Sequence, residues 1–173
     1  MKDANGTPRA SWGIGSTGAL VLGFFDKSGK TRITLSVEPD GSPVLYLYGK
    51  DQTRRFSLYL NESDLPELAL FNTEGKRRVG LVVDAKVRSA GLLVFDSEER
   101  KRASLFVEND GLAAMTLLDK NENLQFGVGE SKNGSLVTLN DSKGNTRIIL
   151  GTLSQGPTLR LYDERGGVIG KIP

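Results

Sequence analysis

The chain contains no cysteine and no histidine. The first absence excludes disulfides, thiolate metal sites and thiol nucleophiles, and leaves the redox compartment unmarked. The second removes the side chain most often used as a general base and as a metal ligand. Neither a Ser-His-Asp nor a Cys-His site can be built, so no catalytic residue, metal ligand or cofactor is expected. An excess of one charge is lacking too: 23 Lys and Arg stand against 21 Asp and Glu, a formal net charge of +2. That balance offers no basic face for nucleic acid. The basic tracts at 75–78 and 98–102 are short and fall in expected turns, where solvated charge is the simpler reading. No apolar run is long enough for a membrane helix, and no signal-peptide core is present. Membrane insertion is therefore not expected; the chain reads as soluble, with its compartment left open. No linker or low-complexity tract breaks it, so one domain over residues 1–173 is expected.

What is present is a sentence written seven times. Arg9, Arg32, Arg55, Arg78, Arg102 and Arg147 open units at steps of 22 to 24 residues, with Gln125 in the one remaining opening position. A fixed period of this length marks a repeat architecture. Within each unit, the first, third and fifth residues after the opening one are apolar, as in Ile33, Leu35 and Val37 or Val79, Leu81 and Val83. A second apolar pair follows a turn, as in Leu45 and Leu47 or Leu159 and Leu161, and only Glu130 and Thr152 break the scheme. Alternation with period two is strand geometry. No helix-period stretch occurs, so the chain is expected to be all-β with two short strands per unit.

The turns carry Asp or Asn first and Gly near the end: Asp26-Lys-Ser-Gly-Lys30, Asn72-Thr-Glu-Gly-Lys76, Asp141-Ser-Lys-Gly-Asn145. That order suits a type I turn whose closing residue is left-handed, the loop of three- to five-residue hairpins. With Pro39-Asp-Gly41 as a three-residue loop, Leu35 faces Leu45 and Ile33 faces Leu47. With 27–30 as a four-residue loop, Phe24 faces Ile33 and Phe25 faces Arg32. The apolar sets then share one face, which a one-residue slip would undo. Fourteen such strands laid flat would span about 65 Å at ~4.8 Å each, with one face wholly apolar. A rolled antiparallel hairpin meander with an apolar interior is expected. A two-sheet parallel β-solenoid would enclose the same side chains, and a flat array covered by a partner is the third solution.

The opposite face is mostly Ser, Thr and Gly, with two exceptions. An aromatic residue precedes most inter-unit turns (Phe25, Tyr48, Phe71, Phe95, Tyr162), and the opening Arg is expected across the hairpin as a cation–π partner. The central units also place Tyr46, Tyr59, Val82, Leu93 and Phe106 there. With Phe71 and Phe95 these form a candidate partner-binding patch, since contiguous exposed apolar surface marks contact sites. Other motifs carry less. Gly13-Ile-Gly-Ser-Thr-Gly18 has no following helix to hold a phosphate. Asp119-Lys-Asn-Glu-Asn123 lacks the Gly and distal Glu of a calcium loop. Glu130 breaks the apolar pattern and reads as a strand end.

The segments Phe24-Phe-Asp-Lys-Ser-Gly-Lys-Thr-Arg-Ile-Thr-Leu35 and Leu161-Tyr-Asp-Glu-Arg-Gly-Gly167 resemble the repeat of uncharacterised bacterial hairpin-repeat proteins, with units of the form L-x-L-x-D-x-x-G-K-x-R-x-x-L-x-V. The Tyr-Asp-x-x-Gly turn is more distantly similar to YD repeats, and the period to MORN repeats, although the tryptophan pattern of the latter is missing. These resemblances imply a hairpin-sheet scaffold and assign no chemistry. The expected function is a non-enzymatic structural or interaction scaffold that binds a protein or itself. The alternative is a carbohydrate-binding module that stacks glycan on the aromatic–Arg face.

Overall fold

A computed structural model describes residues 1–84, 89–108 and 110–172. The chain divides into two compact units, Met1–Ala85 and Lys86–Pro173. The first holds β1 (Ala10–Ile14), β2 (Leu20–Phe25), β3 (Thr31–Val37), β4 (Pro43–Tyr48), β5 (Arg54–Leu60), β6 (Pro66–Phe71) and β7 (Arg77–Asp84). The second holds β8 (Ser89–Phe95), β9 (Lys101–Val107), β10 (Ala113–Leu118), β11 (Leu124–Ser131), β12 (Gly134–Asn140), β13 (Thr146–Leu153), β14 (Gly156–Tyr162) and β15 (Val168–Ile172). Within each unit every strand pairs antiparallel with its sequence neighbours, so each is a hairpin meander, with no helix among the described residues. The antiparallel ladders rule out the parallel solenoid.

The turns follow from Asx chemistry. Asp26 accepts the amides of Ser28 and Lys30 on one carboxylate oxygen, at 2.9 and 3.0 Å. Asn72, Asp96, Asp119, Asp141 and Asp163 do the same for the residues two and four positions on. A short polar side chain thereby closes the turn that the backbone begins. The fourth residue of these turns is left-handed, with φ of 78° at Gly29 and 79° at Gly75. Glycine takes that conformation without a Cβ clash, yet Gln52, Asp64, Glu99 and Glu122 occupy the same place.

The register is as read from the sequence for the apolar rungs: Ile33 opposes Leu47, Leu35 opposes Leu45 and Phe24 opposes Ile33. It differs at one recurring point. Each inter-unit hairpin carries a β-bulge beside its turn, so Phe25 opposes Thr31, Tyr48 opposes Arg54 and Phe71 opposes Arg77. The extra residue is the opening residue of the unit, Arg in most hairpins, Gln125 in β11 and Ile169 in the last, and it is set out of the ladder. Phe25–Arg32 and the corresponding cross-hairpin pairs are therefore displaced by one residue.

The bulged side chain has a different task. Arg9 Nε donates to the Phe25 carbonyl, Arg32 Nε to that of Tyr48 and Arg102 Nε to that of Leu118, each 16 residues on. Gln125 Nε2 makes the equivalent bond to the Asp141 carbonyl at 3.0 Å, and Arg55 Nη1 reaches Asn72. Arg147 reaches the carbonyl of Asp163. The same guanidiniums pair with turn carboxylates, Arg9 with Asp3 at 3.6 Å and Arg102 with Asp96 at 3.6 Å. Arg9, Arg32, Arg55, Arg102, Gln125 and Arg147 thus form a chain of clamps, each holding the neighbouring turn. A neutral amide supplies the same donor, which is why Gln can stand at 125.

The enclosed apolar interior expected from the sequence is absent within each unit. Leu35 is 51% exposed, Leu58 41% and Leu105 52%. The physical reason lies in the register. A barrel closes only when strands stagger against one another. Here the rungs run straight across: Phe24, Ile33, Leu47, Phe56, Leu70 and Val79 stand in one line over six strands. No stagger accumulates, and among the described residues no pairing joins β1 to β7 or β8 to β15.

Candidate functional site

The straight register sorts side chains into rows. On the apolar face of the first unit, the middle row runs Trp12, Leu22, Leu35, Leu45, Leu58, Leu68 and Leu81. A flanking row holds Phe24, Ile33, Leu47, Phe56, Leu70 and Val79. On the other side stand Ile14, Leu20, Val37 and Pro43, with Leu60 opposite Pro66 and with Val83 further along. No charged or hydrogen-bonding side chain interrupts these rows except the indole N–H of Trp12. Trp12 is 83% exposed and Ile14 71%. The second unit repeats two rows, but its third row turns polar: Glu130 opposes Ser135, and Ser135 opposes Thr152. Glu130 lies on the exposed face and accepts the Ala113 amide at 3.4 Å. It is the penultimate residue of β11, at the strand end beside the turn to β12.

The second face is the better covered one. Its central row in the first unit is Ser11, Gly23, Thr34, Tyr46, Ser57, Ala69 and Gly80. Ser57 and Ala69 are almost fully buried, although they are small and one is polar. Long side chains from the bulged edge fold over the glycines of the same row. The Phe25 ring lies so close above Gly23 that a Cβ there would stand 3.3 Å from its Cζ, and a Cβ on Gly80 would collide with the Arg77 guanidinium. Small residues in the row and long ones at its margin make a thin second layer.

The seven residues of the candidate patch fall on this covered face. Tyr46, Tyr59, Phe71 and Val82 belong to the first unit and Leu93, Phe95 and Phe106 to the second; each is half-buried and none is fully exposed. Arg54 brings two of them together. Its guanidinium carbon lies 4.4 Å from the centroid of Phe71 and 5.1 Å from that of Tyr46, which also meets Tyr48 edge-on at 6.2 Å. Tyr59 belongs to a second group. Burial, and then the hydrogen bond it donates to Glu67, push its phenol above the usual range. Glu67 in turn holds Arg77 Nη1 at 2.8 Å. Sequence reasoning placed the cation of these clusters one residue late. The doublets Arg54-Arg55 and Arg77-Arg78 were the available signal: one member clamps a turn or lies in the bulge, and the other covers the second face.

Reactive chemistry has little to build on here. Among the described residues no group of three or more potential metal ligands comes together. The turn carboxylates are committed to amides. Asp26 is held below the usual carboxylate range by the Ser28 hydroxyl and by backbone amides. At Asp141 partial desolvation acts upward, but the amides of Asn145 and Lys143 and the Arg147 guanidinium outweigh it, and its pKa is strongly lowered. Shallow hollows lie beside Trp12 and Phe25, and between Arg160 and Lys171; neither contains a paired acid and base. No helix is long and apolar enough to cross a membrane among the described residues. No protein-family model matches the chain, and no curated protein matches it.

Proposed function

We propose that the protein is a non-enzymatic interaction scaffold whose working surface is the apolar face of β1–β7. The observation that carries this reading is the set of three uninterrupted apolar rows left open to solvent, with Trp12, Ile14, Leu35, Leu58 and Leu81 all exposed. Soluble proteins seldom expose contiguous apolar patches beyond a few hundred Å² unless the patch is used. The turns and clamps lie off that face and leave its rows available to a partner.

The supporting experiment is binding of the dye 8-anilinonaphthalene-1-sulfonate together with the variants Leu35→Lys and Leu58→Lys. Strong dye binding, or its masking by an associated protein, with loss of either property in the variants at unchanged circular dichroism, is the expected result. A wild-type monomer that binds no dye would overturn the reading. Glycan stacking on the aromatic–Arg face draws less support, because Arg54 already occupies the rings of Tyr46 and Phe71.

A further inference from the structure

We infer that the occupant of this apolar face is a second copy of the chain, laid face to face across a two-fold axis so that the two β1–β7 sheets form a sandwich. The inference rests on the reading of the apolar face as the working surface and names its partner. Size is the first argument. Seven strands at about 4.8 Å and three rows at about 6.8 Å make a surface roughly 34 by 20 Å, or about 700 Å² in projection. A stable interface takes about 800 Å² from each side, so the face matches one half of a dimer. A single docked helix, about 10 Å across, laid along the longer dimension would leave about half of the face wet. A partner sheet covers it, and each copy carries one of the required dimensions.

Chemistry is the second argument. A two-fold interface must be complementary to itself. Only a group near the axis meets its own copy, and any charge away from it needs an opposite partner placed across the axis. The rows of the first unit carry no charge, so like meets like without penalty. Sheets pack about 10 Å apart with interdigitating side chains, and the straight rungs give both copies the same ridge spacing. The second unit is the weaker candidate, since Glu130, Ser135 and Thr152 lie on its third row. Lipid is the weaker occupant. The strands of the first unit run 5 to 8 residues, against the roughly 9–11 a bilayer-spanning strand needs.

The single tryptophan supplies an internal probe, because Trp12 sits at the end of the middle row. The full chain is measured by sedimentation equilibrium and by tryptophan emission over a dilution series, as wild type, Leu58→Lys and Leu81→Lys. Leu105→Lys, on the second unit, is the comparison. All three leucines are between 41% and 52% exposed, so the substitutions do not disturb a closed core. The expected result is a dimer whose Trp12 emission shifts to the red on dilution. Leu58→Lys and Leu81→Lys weaken it by at least roughly 100-fold, as desolvating an unpaired ammonium demands, and Leu105→Lys weakens it less.

A dimer indifferent to Leu58→Lys would overturn the inference, by placing the contact elsewhere. A monomer that binds the dye would also overturn it while the scaffold reading stood, since the face would then await another partner. A monomer that binds neither dye nor itself would overturn both. A monomer that co-sediments with phosphatidylcholine vesicles would overturn the second-copy assignment in favour of lipid.

Discussion

Gln52 is a left-handed residue that glycine would occupy more cheaply, and its side chain gives the reason it is tolerated. At φ 67° it carries a Cβ where Gly29 and Gly75 carry none, a cost of roughly 1 kcal/mol. Its carboxamide spans to the neighbouring hairpin, where Oε1 accepts the Thr31 amide at 3.1 Å and Nε2 donates to the Thr31 carbonyl at 3.0 Å. Both groups belong to the bulge opposite Phe25. At an exposed site each bond contributes about 0.5–1 kcal/mol.

Two substitutions separate these effects. Gln52→Ala keeps the strain and loses both bonds, so it should cost about 1–2 kcal/mol. Gln52→Gly loses the bonds but releases the strain, so it should fall within about 1 kcal/mol of wild type. Urea titration of the full chain reads both, and in thermal melts each kcal/mol corresponds to about 2–4 °C for a chain of this size. Hydrogen exchange at Thr31 supplies a local check, with protection lost in both variants. Equal stability of the Ala and Gly variants would refute the strain argument. An Ala variant as stable as wild type would refute the bridging one.

Three further outcomes are expected. Arg102→Gln should retain most of the stability that Arg102→Ala loses, about 1 kcal/mol by chemical denaturation, because Gln125 already performs the same carbonyl bond. Asp64→Gly should stabilise by about 0.5–1 kcal/mol and Gly29→Ala destabilise by a similar amount in paired melts, since both positions are left-handed. The carboxyls of Asp26, Asp40, Asp51, Asp96, Asp119 and Asp141 all titrate below their ordinary value in the fold. Depressed folded values mean stability that is complete above the unfolded carboxyl pKa of about 3.9 and lost as pH falls through the folded values. Melting temperature should therefore be flat from about pH 8 to 5 and drop below about pH 4. Asp141→Asn should keep its turn, as Asn72 does, while flattening part of that drop.

The strands, their two-residue alternation, the Asx turns and the rung partners were legible in the sequence because each is a local matter. Ile33 and Leu47 meet because a loop of fixed length joins their strands, and the left-handed turn position follows from where Gly is placed. The opening Arg was legible as a repeating element but not in its role. A bulge adds one residue without changing the periodicity. The aromatic–Arg pairing was therefore read one position off, and the carbonyls that these Args clamp lie in the following hairpin. Tyr46, Phe71 and their companions look exposed when only alternation is considered. The second face became the covered one because Phe25 and Arg77 fold down over Gly23 and Gly80 and Arg54 lies over the rings of Tyr46 and Phe71, a choice of rotamer that no pattern of residue types states. Sequence alone determined that one face of the sheet would be apolar. Whether that face would be enclosed depended on strand stagger, a property of the whole sheet; with none accumulated, the apolar rows of each unit stay open.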